Sequence, residues 1–284
     1  MHILLKTFFS ILLALSAWPA TADVNFRVKP LQIGIVPYIS TRSLVTNYEP
    51  MRQYLEKALG KPVEIYTATG FKAFYLNAQR EEYDLVISAA HFARMLQNAD
   101  KFTPLARYSK GGRGLIMSGI GSPLKSLDDL RGQVIATPDK LSLSSIVCLT
   151  YLRENGLQAG IDFHILEVPS FASAISSVKK GEAIAAISAS GALAQMPEEL
   201  RGSVKPFIDT GEFVSLIFLA PPRLGKVQME RLQSALLKFS SQSKEGKQFF
   251  GSNGFGSIVP VTPKEMNSLD RYNAETERLM KAAP

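Results

Sequence analysis

Three serine hydroxyls stand close together in this sequence, at Ser142, Ser144 and Ser145. A predicted strand over 134–137 precedes them, and a predicted helix over 142–155 begins with them. The first turn of a helix has free backbone N–H groups and the positive end of the helix dipole, which together attract an anion. Plain N-capping is the alternative, but one serine is enough for a cap. The cluster therefore predicts an oxyanion site at the start of this helix.

Two other loops carry side chains that could meet an anion. Ser88 and His91 lie where a predicted buried strand over 83–88 passes into a helix, and a histidine N–H there can donate to an oxyanion. The alternative for His91 is that it caps the helix. Arg94, on the same helix, either adds positive charge to the site or points to solvent. Tyr38, after the first predicted strand, either lines the site or packs against a neighbouring loop.

Short apolar runs alternate with helical patterns along most of the chain. Such alternation is typical of βαβ units, in which helices join parallel strands. The runs that predict strands are 31–36, 62–68, 83–88, 134–137, 163–168, 183–187 and 214–219. The segments that predict helices are 48–59, 71–82, 142–155, 171–180, 229–239 and a final helix from Thr262 to Tyr272 that begins with a capping box. The sequence therefore predicts an α/β fold.

The chain is long enough for two lobes, and two stretches are suited to connect them. A glycine-rich stretch over 109–114 has the composition of a hinge, and a return is expected around 207–211. We expect residues 23–110 to form the first part of lobe 1, 111–207 to form lobe 2, and 208–284 to return to lobe 1 and add C-terminal helices. Ligands of such sheets bind outside the carboxyl ends of the strands, which places the site in a cleft between the lobes.

Residues 1–22 have the pattern of a secretory signal peptide. Lys6 precedes an apolar run over 8–18, and Ala20-Thr21-Ala22 is a typical cleavage motif. No cysteine follows the run, so a lipid anchor is not predicted. We expect cleavage after Ala22 and export to the periplasm; an uncleaved N-terminal membrane anchor is the alternative.

The chain carries 32 Lys and Arg against 25 Asp and Glu, a formal net charge of +7. Such an excess can indicate a nucleic-acid partner. The basic residues are scattered, however, and no stripe of them alternates with aromatic residues. The charge therefore predicts a soluble basic surface and no binding to nucleic acid.

The sequence does not predict an enzyme. Its one cysteine, Cys148, stands between apolar residues within a predicted helix and is expected to be a buried core side chain rather than a nucleophile. One of its three histidines, His2, lies in the predicted signal peptide, which leaves few ligands for a transition metal. The sequence has neither a serine nucleophile elbow nor a P-loop. No cofactor or metal is expected.

Four motifs resemble the periplasmic binding proteins of phosphonate, phosphite and phosphate ABC transporters, the PhnD-like family. They are residues 33–40, 48–56, 83–86 with 90–94, and the serine-rich turn 142–145. The resemblance implies a type II periplasmic-binding fold, an α/β fold in which two lobes close on the ligand. It assigns the ligand oxygens to Ser142, Ser144, Ser145 and the backbone of Leu143. The family pattern has Thr and Gly where this sequence has Leu143 and Ser145, so one hydroxyl is lost and another is gained.

The resemblance places the second-lobe side of the site in stretches 169–172 and 187–191, which supply Ser170, Phe171 and Ser188. Relatives that bind aminophosphonates have acidic residues there, and these stretches have none. This implies a small oxyanion without an amino group, which a monomeric receptor delivers to an ABC permease at the inner membrane. A ligand sensor for a two-component system, or a receptor for a sulfonate or a thiamine precursor, are the open alternatives.

Overall fold

The computed structural model describes residues 29–282 and contains two sheets that pack against helices. The predicted signal peptide and its cleavage site lie outside the described residues. The strands are β1 (Leu31–Ile35), β2 (Val63–Tyr66), β3 (Leu85–Ala89), β4 (Thr103–Tyr108), β5 (Gly112–Gly119), β6 (Val134–Thr137), β7 (His164–Glu167), β8 (Ala185–Ala189), β9 (Val204–Phe213), β10 (Leu216–Ala220) and β11 (Ile258–Val259). The helices are α1 (Thr41–Leu59), α2 (Phe71–Gln79), α3 (Ala90–Asp100), α4 (Leu143–Glu154), α5 (Phe171–Lys179), α6 (Ser190–Ala194), α7 (Glu198–Arg201), α8 (Lys226–Gln242), α9 (Lys244–Asn253), α10 (Pro263–Asn267) and α11 (Asn273–Ala282).

The six-stranded sheet, the core of the first lobe, has the strand order β11-β4-β10-β3-β1-β2. β1 pairs in parallel with both β2 and β3, while β10 joins β3 in the antiparallel sense. All five residues of β3 are buried, because β3 is a central strand between β1 and β10 and helices pack against the sheet. The apolar runs that predicted β1, β3 and β10 are therefore core segments, and the α/β prediction is confirmed, although β4 and β11 are not among the predicted strands.

The five-stranded sheet, the core of the second lobe, has the order β7-β6-β8-β5-β9. β6 pairs in parallel with β7 and β8, and β5 joins β8 in the antiparallel sense. This arrangement repeats that of the first sheet, with β6 in the place of β1 and β8 in the place of β3. Two elements of the first lobe recur in the second with residue numbers one hundred higher: α2 corresponds to α5, and β3 corresponds to β8. The carboxyl ends of equivalent strands thus present equivalent positions for a ligand.

The chain passes between the sheets twice. The first passage lies between Tyr108 and Gly112, within the glycine-rich stretch. An added Cβ at Gly111 would lie 2.3 Å from Glu212 Oε1, so glycine allows the first passage to run close to the end of β9. The second passage lies after Phe213 rather than around 207–211, because β9 continues to pair with β5 up to that residue.

The end of the chain departs from the predicted single helix. The capping box at Thr262 and Glu265 is present, but α10 ends at Asn267. The Ser268 hydroxyl donates to the Glu265 carbonyl, and a short turn then leads to α11. Met266, Leu269 and Tyr272 are buried as their spacing predicts, although Met266 lies in α10, Leu269 in the turn after it and Tyr272 in the short 3-10 turn before α11.

Cys148 lies in α4 and is fully buried, as predicted for a core side chain. Burial raises the pKa of its thiol, which opposes formation of the nucleophilic thiolate. Within residues 29–282, no helix combines the length and the apolar character needed to cross a lipid bilayer.

Candidate functional site

The serine-rich turn forms the N-terminus of α4. Ser142 is the N-cap, and its Oγ accepts a hydrogen bond of 3.1 Å from the backbone N–H of Ser145. The same oxygen lies 2.7 Å from Ser145 Oγ and 3.4 Å from Ser144 Oγ. All three serines are buried. The structure therefore gathers the three predicted hydroxyls at the positive end of one helix.

Eight side-chain polar atoms of the described residues are buried without a hydrogen-bond partner, and three of them lie where β3 and β8 pass into α3 and α6. They are Ser88 Oγ in β3, Ser188 Oγ in β8 and His91 Nδ1 in α3. Ser88 and Ser188 occupy the same place in their strands, one residue before the carboxyl end. An unpaired buried polar group costs about 1–3 kcal/mol, so native structures keep few of them unless another molecule supplies the partner.

β5 connects the end of β8 to the serine turn. Gly114 pairs with Ala189, the residue after Ser188. A Cβ added at Gly114 would lie 3.5 Å from the Ser144 carbonyl oxygen, which shows how closely β5 approaches α4. Ser188 and the turn therefore belong to one end of the second lobe.

His91 links the two lobes. Its Nε2 lies 3.0 Å from the carbonyl oxygen of Leu141, in the loop that leads into α4. Burial lowers the pKa of His91 to about 3, so the ring is neutral near pH 7. Because a carbonyl oxygen can only accept, Nε2 carries the hydrogen and Nδ1 is an acceptor. His91 does not cap α3, whose N-cap is Ala89.

Arg94 neither adds charge to the site nor points to solvent, because it pairs with Asp270. Its side chain is only 15% exposed, and Nε and Nη2 donate to the two carboxylate oxygens of Asp270 at 2.7 and 2.9 Å. This bidentate pair holds α3 against the turn before α11 and lowers the pKa of Asp270. Arg94 therefore stabilises the first lobe and contributes no free positive charge to the cleft.

An open cavity of about 1160 Å³ lies between the lobes. Three of the predicted site residues, Tyr38, Ser170 and Phe171, line it. Ser88, His91, Ser188 and the residues of turn 142–145, including Leu143, are buried and do not reach it. The predicted site thus has an open part at the cavity and a closed part around the start of α4.

Two carboxylates of the second lobe, Asp139 and Glu167, also line the cavity, outside stretches 169–172 and 187–191. Asp139 accepts hydrogen bonds from the backbone N–H groups of Phe71 and Leu141, at 3.1 and 2.9 Å. Glu167 forms an ion pair with Lys140. Both carboxylates therefore have partners within the protein. The Pro138-Asp139 pair is typical of a turn, but its spacing gives no indication of the contact with Phe71.

Gln195 connects the lobes on another side of the cleft, and sequence reasoning missed it. Its Oε1 accepts from Asn47 Nδ2 at 2.8 Å and from Tyr38 Oη at 3.3 Å, both in the first lobe. Its Nε2 donates to the carbonyl oxygens of Gly191 and Asn253. Tyr38 also lies 3.5 Å from Tyr48 Oη, so it both lines the cavity and packs inside the lobe.

The buried histidine predicts a specific pH dependence. The unfolded chain binds a proton at His91 near pH 6.5 and the folded chain only near pH 3, so stability is lost as the pH falls below 6.5. Each pH unit in this window costs about 1.4 kcal/mol, or about 2 kcal/mol between pH 7.5 and 5. His91→Gln should remove this loss in urea unfolding. His164→Gln, at an exposed histidine, should keep it. An unchanged pH slope in His91→Gln would contradict the assignment.

The described ranges contain no cluster of three or more His, Cys, Asp or Glu side chains arranged to hold a metal ion. The polar groups gathered near α4 are hydroxyls, one imidazole and backbone amides. These are neutral groups suited to bind an anion by hydrogen bonds.

Comparison with known proteins agrees with this architecture. The family model of the periplasmic substrate-binding proteins of phosphonate ABC transporters matches residues 33–266. A binding protein of a phosphonate ABC transporter from Pseudomonas aeruginosa has 15% identity, with 90% of each chain covered and a TM-score of 0.78. PhnD1 from Prochlorococcus marinus, solved with methylphosphonate, has 14% identity over 88% of this chain and 99% of its own, with a TM-score of 0.76.

The periplasmic aliphatic sulphonate-binding protein SsuA from Escherichia coli has the same fold, with 15% identity, coverage of 90% of this chain and 94% of its own, and a TM-score of 0.63. At such identities the solved structures establish the fold, a type II periplasmic-binding fold. The family model spans most of the described residues and establishes more: the chain belongs to the periplasmic substrate-binding proteins of phosphonate ABC transporters.

Proposed function

We propose that the protein captures a small phosphorus oxyanion without an amino group, such as a phosphonate, phosphite or phosphate, for an ABC importer. The ligand lies between the lobes at the N-terminus of α4. Three buried polar atoms without partners in the described chain, Ser88 Oγ, Ser188 Oγ and His91 Nδ1, support this function best. An oxyanion accepts from both hydroxyls, and a protonated ligand oxygen donates to Nδ1. Bound ligand thus offsets the cost of leaving these atoms unpaired.

In this proposal hydrogen bonds and a helix dipole from neutral groups stabilise the ligand's negative charge. Ser142, Ser144 and Ser145, the backbone N–H of Leu143 and the dipole of α4 face the anion. Ser170 and Phe171, at the N-terminus of α5, and Tyr38 complete the open side of the site. No arginine or lysine is required, which agrees with the pairing of Arg94 with Asp270.

The carboxylates at the cavity favour a ligand without an amine. A cationic amino group needs a carboxylate that is free to pair with it. Asp139 already accepts two backbone N–H groups, and Glu167 already pairs with Lys140. An aminophosphonate would have to displace one of these partners, which would lower its affinity.

The expected site of action is the periplasm, after cleavage following Ala22. We infer that the receptor is a monomer which binds a permease at the inner membrane, and that it has no nucleic-acid partner. Its basic residues are scattered in sequence, without the aromatic stripe of a nucleic-acid surface.

A panel of oxyanions tests this function. Phosphate, phosphite, methylphosphonate, 2-aminoethylphosphonate and ethanesulfonate would be screened by thermal shift and titration calorimetry on the chain from Asp23. A bound ligand at 100 times its Kd adds about 2.7 kcal/mol of stability. We expect at least one of the first three to bind more tightly than the aminophosphonate. Tightest binding of 2-aminoethylphosphonate would refute the amine-free ligand, and binding of the sulfonate alone would refute phosphorus specificity.

A further inference from the structure

Helix α2 of the first lobe begins without a cap of its own. Its N-cap is Gly70, which has no side chain, and the backbone there is extended, with φ −168° and ψ 173°. The first backbone N–H groups of a helix have no partner within the helix, and a glycine N-cap offers them no side-chain acceptor. The N-terminus of α2 therefore needs an acceptor from elsewhere.

The acceptor comes from the opposite lobe. Asp139, in the loop between β6 and α4, places Oδ2 3.1 Å from the backbone nitrogen of Phe71, the first residue of α2. A Cβ added at Gly70 would lie 3.5 Å from the same oxygen, which is an ordinary contact. A carboxylate also interacts favourably with the positive end of a helix dipole. Asp139 thus caps a helix that belongs to the other lobe.

The same carboxylate shapes the loop that leads to the serine turn. Asp139 Oδ1 accepts from the Leu141 N–H at 2.9 Å, and the Asp139 carbonyl accepts from the Ser142 N–H at 2.9 Å. The Leu141 carbonyl in turn accepts from His91 of the first lobe. Residues 139–142 are therefore fixed by two bonds within their own lobe and two bonds across the cleft.

We propose that Asp139 is a positioning residue that couples closure of the lobes to anion binding. The inference rests on the proposed function, because it assumes that the ligand binds at the serine turn. Opening the cleft removes the cap from α2 and frees the loop before Ser142. Closing it restores the cap and fixes the turn that holds the anion. Asp139 itself does not touch the ligand.

Four variants separate this coupling from a purely structural role. Asp139→Ala removes both acceptor oxygens, whereas Asp139→Asn keeps one oxygen and loses the charge. Gly70→Ser gives α2 a cap within its own lobe, present in the open and the closed state alike. The double variant Gly70→Ser with Asp139→Ala therefore has a capped helix but no bond from residue 139 across the cleft.

Each variant is characterised by two measurements. Amide hydrogen exchange measures the exchange rate of the Phe71 N–H, and titration calorimetry measures the Kd for the tightest-binding anion of the panel above. We expect Asp139→Ala to exchange at Phe71 about tenfold faster than the wild-type protein and to bind about tenfold more weakly. Asp139→Asn should fall between the two. The double variant should keep the weak affinity of Asp139→Ala, since a cap within the lobe does not favour closure.

Two results would overturn the coupling. One is an unchanged exchange rate at Phe71 in Asp139→Ala. The other is recovery of wild-type affinity in the double variant, which would show that Asp139 acts only through the stability of α2. If no anion of the panel binds the wild-type protein, the proposed function fails, and the exchange rates still decide whether Asp139 caps α2 across the cleft.

Discussion

Ser142→Ala should weaken oxyanion binding at least tenfold and leave the protein folded. A hydrogen bond to a charged group contributes about 1.5–3 kcal/mol, which corresponds to roughly ten- to a hundredfold in Kd. The substitution also removes the N-cap of α4, which should lower the free energy of unfolding by about 1 kcal/mol. Titration calorimetry with the tightest-binding anion of the panel measures the first effect, and urea unfolding measures the second.

Ser243→Ala is the matched control for this experiment. Ser243 caps α9 by accepting from the Gly246 N–H at 2.8 Å, and it does not line the cleft cavity. Its loss should reduce stability by about 1 kcal/mol or somewhat more, because its Oγ also donates to the Phe239 carbonyl. The affinity of the Ser243→Ala variant for the anion should equal that of the wild-type protein. If Ser142→Ala bound as tightly as the wild-type protein, the anion site would not lie at the start of α4.

Gly191→Leu should hold the lobes apart and abolish most of the affinity. Gly191, in α6 of the second lobe, faces the ring of Phe255 in the first, and an added Cβ would lie only 2.9 Å from that ring. The ring has little freedom to move, because it stacks on Tyr108 at 4.3 Å and contacts Tyr38 edge-on at 5.9 Å. A leucine therefore acts as a wedge where the lobes must approach.

Small-angle X-ray scattering checks this prediction. The wild-type radius of gyration should fall when ligand is added, and that of Gly191→Leu should stay at its ligand-free value, with a Kd raised more than tenfold. Gly121→Leu is the control, because nothing lies within 4 Å of a Cβ built at that exposed glycine of the same lobe. Equal compaction of Gly191→Leu and the wild-type protein would show that this contact does not limit closure.

The fold was predictable because its determinants are local. The buried strands β1, β3, β6, β8 and β10 are apolar runs, and Gly60, with φ 65°, ends α1 as a C-cap glycine does. Ser142 and Thr262 cap the helices that their positions predict. Each of these signals depends on a few neighbouring residues, so each can be interpreted without knowledge of the tertiary structure.

The lobe-crossing contacts were not predictable, because they depend on how distant segments dock. Asp139 reaches Phe71, and Gln195 reaches Tyr38 and Asn47, over separations for which sequence carries no local signal. The second passage was placed too early for a related reason. Pro206 and Gly211 look like a break in sequence, but pairing with β5 keeps β9 continuous through both. The partner for Arg94, Asp270, likewise becomes adjacent only when the C-terminal turn packs on α3.

The burial of Cys148 has a practical consequence. Because this is the chain's only thiol and the folded protein shields it, a thiol reagent can modify it only when α4 opens. The labelling rate of Cys148 under native conditions therefore reports how often the second lobe opens locally around α4. Because Cys148 does not react in the folded protein, two cysteines can be introduced on facing lobe surfaces and spin-labelled without replacing it. The distance between the two labels then reports how far the cleft is open.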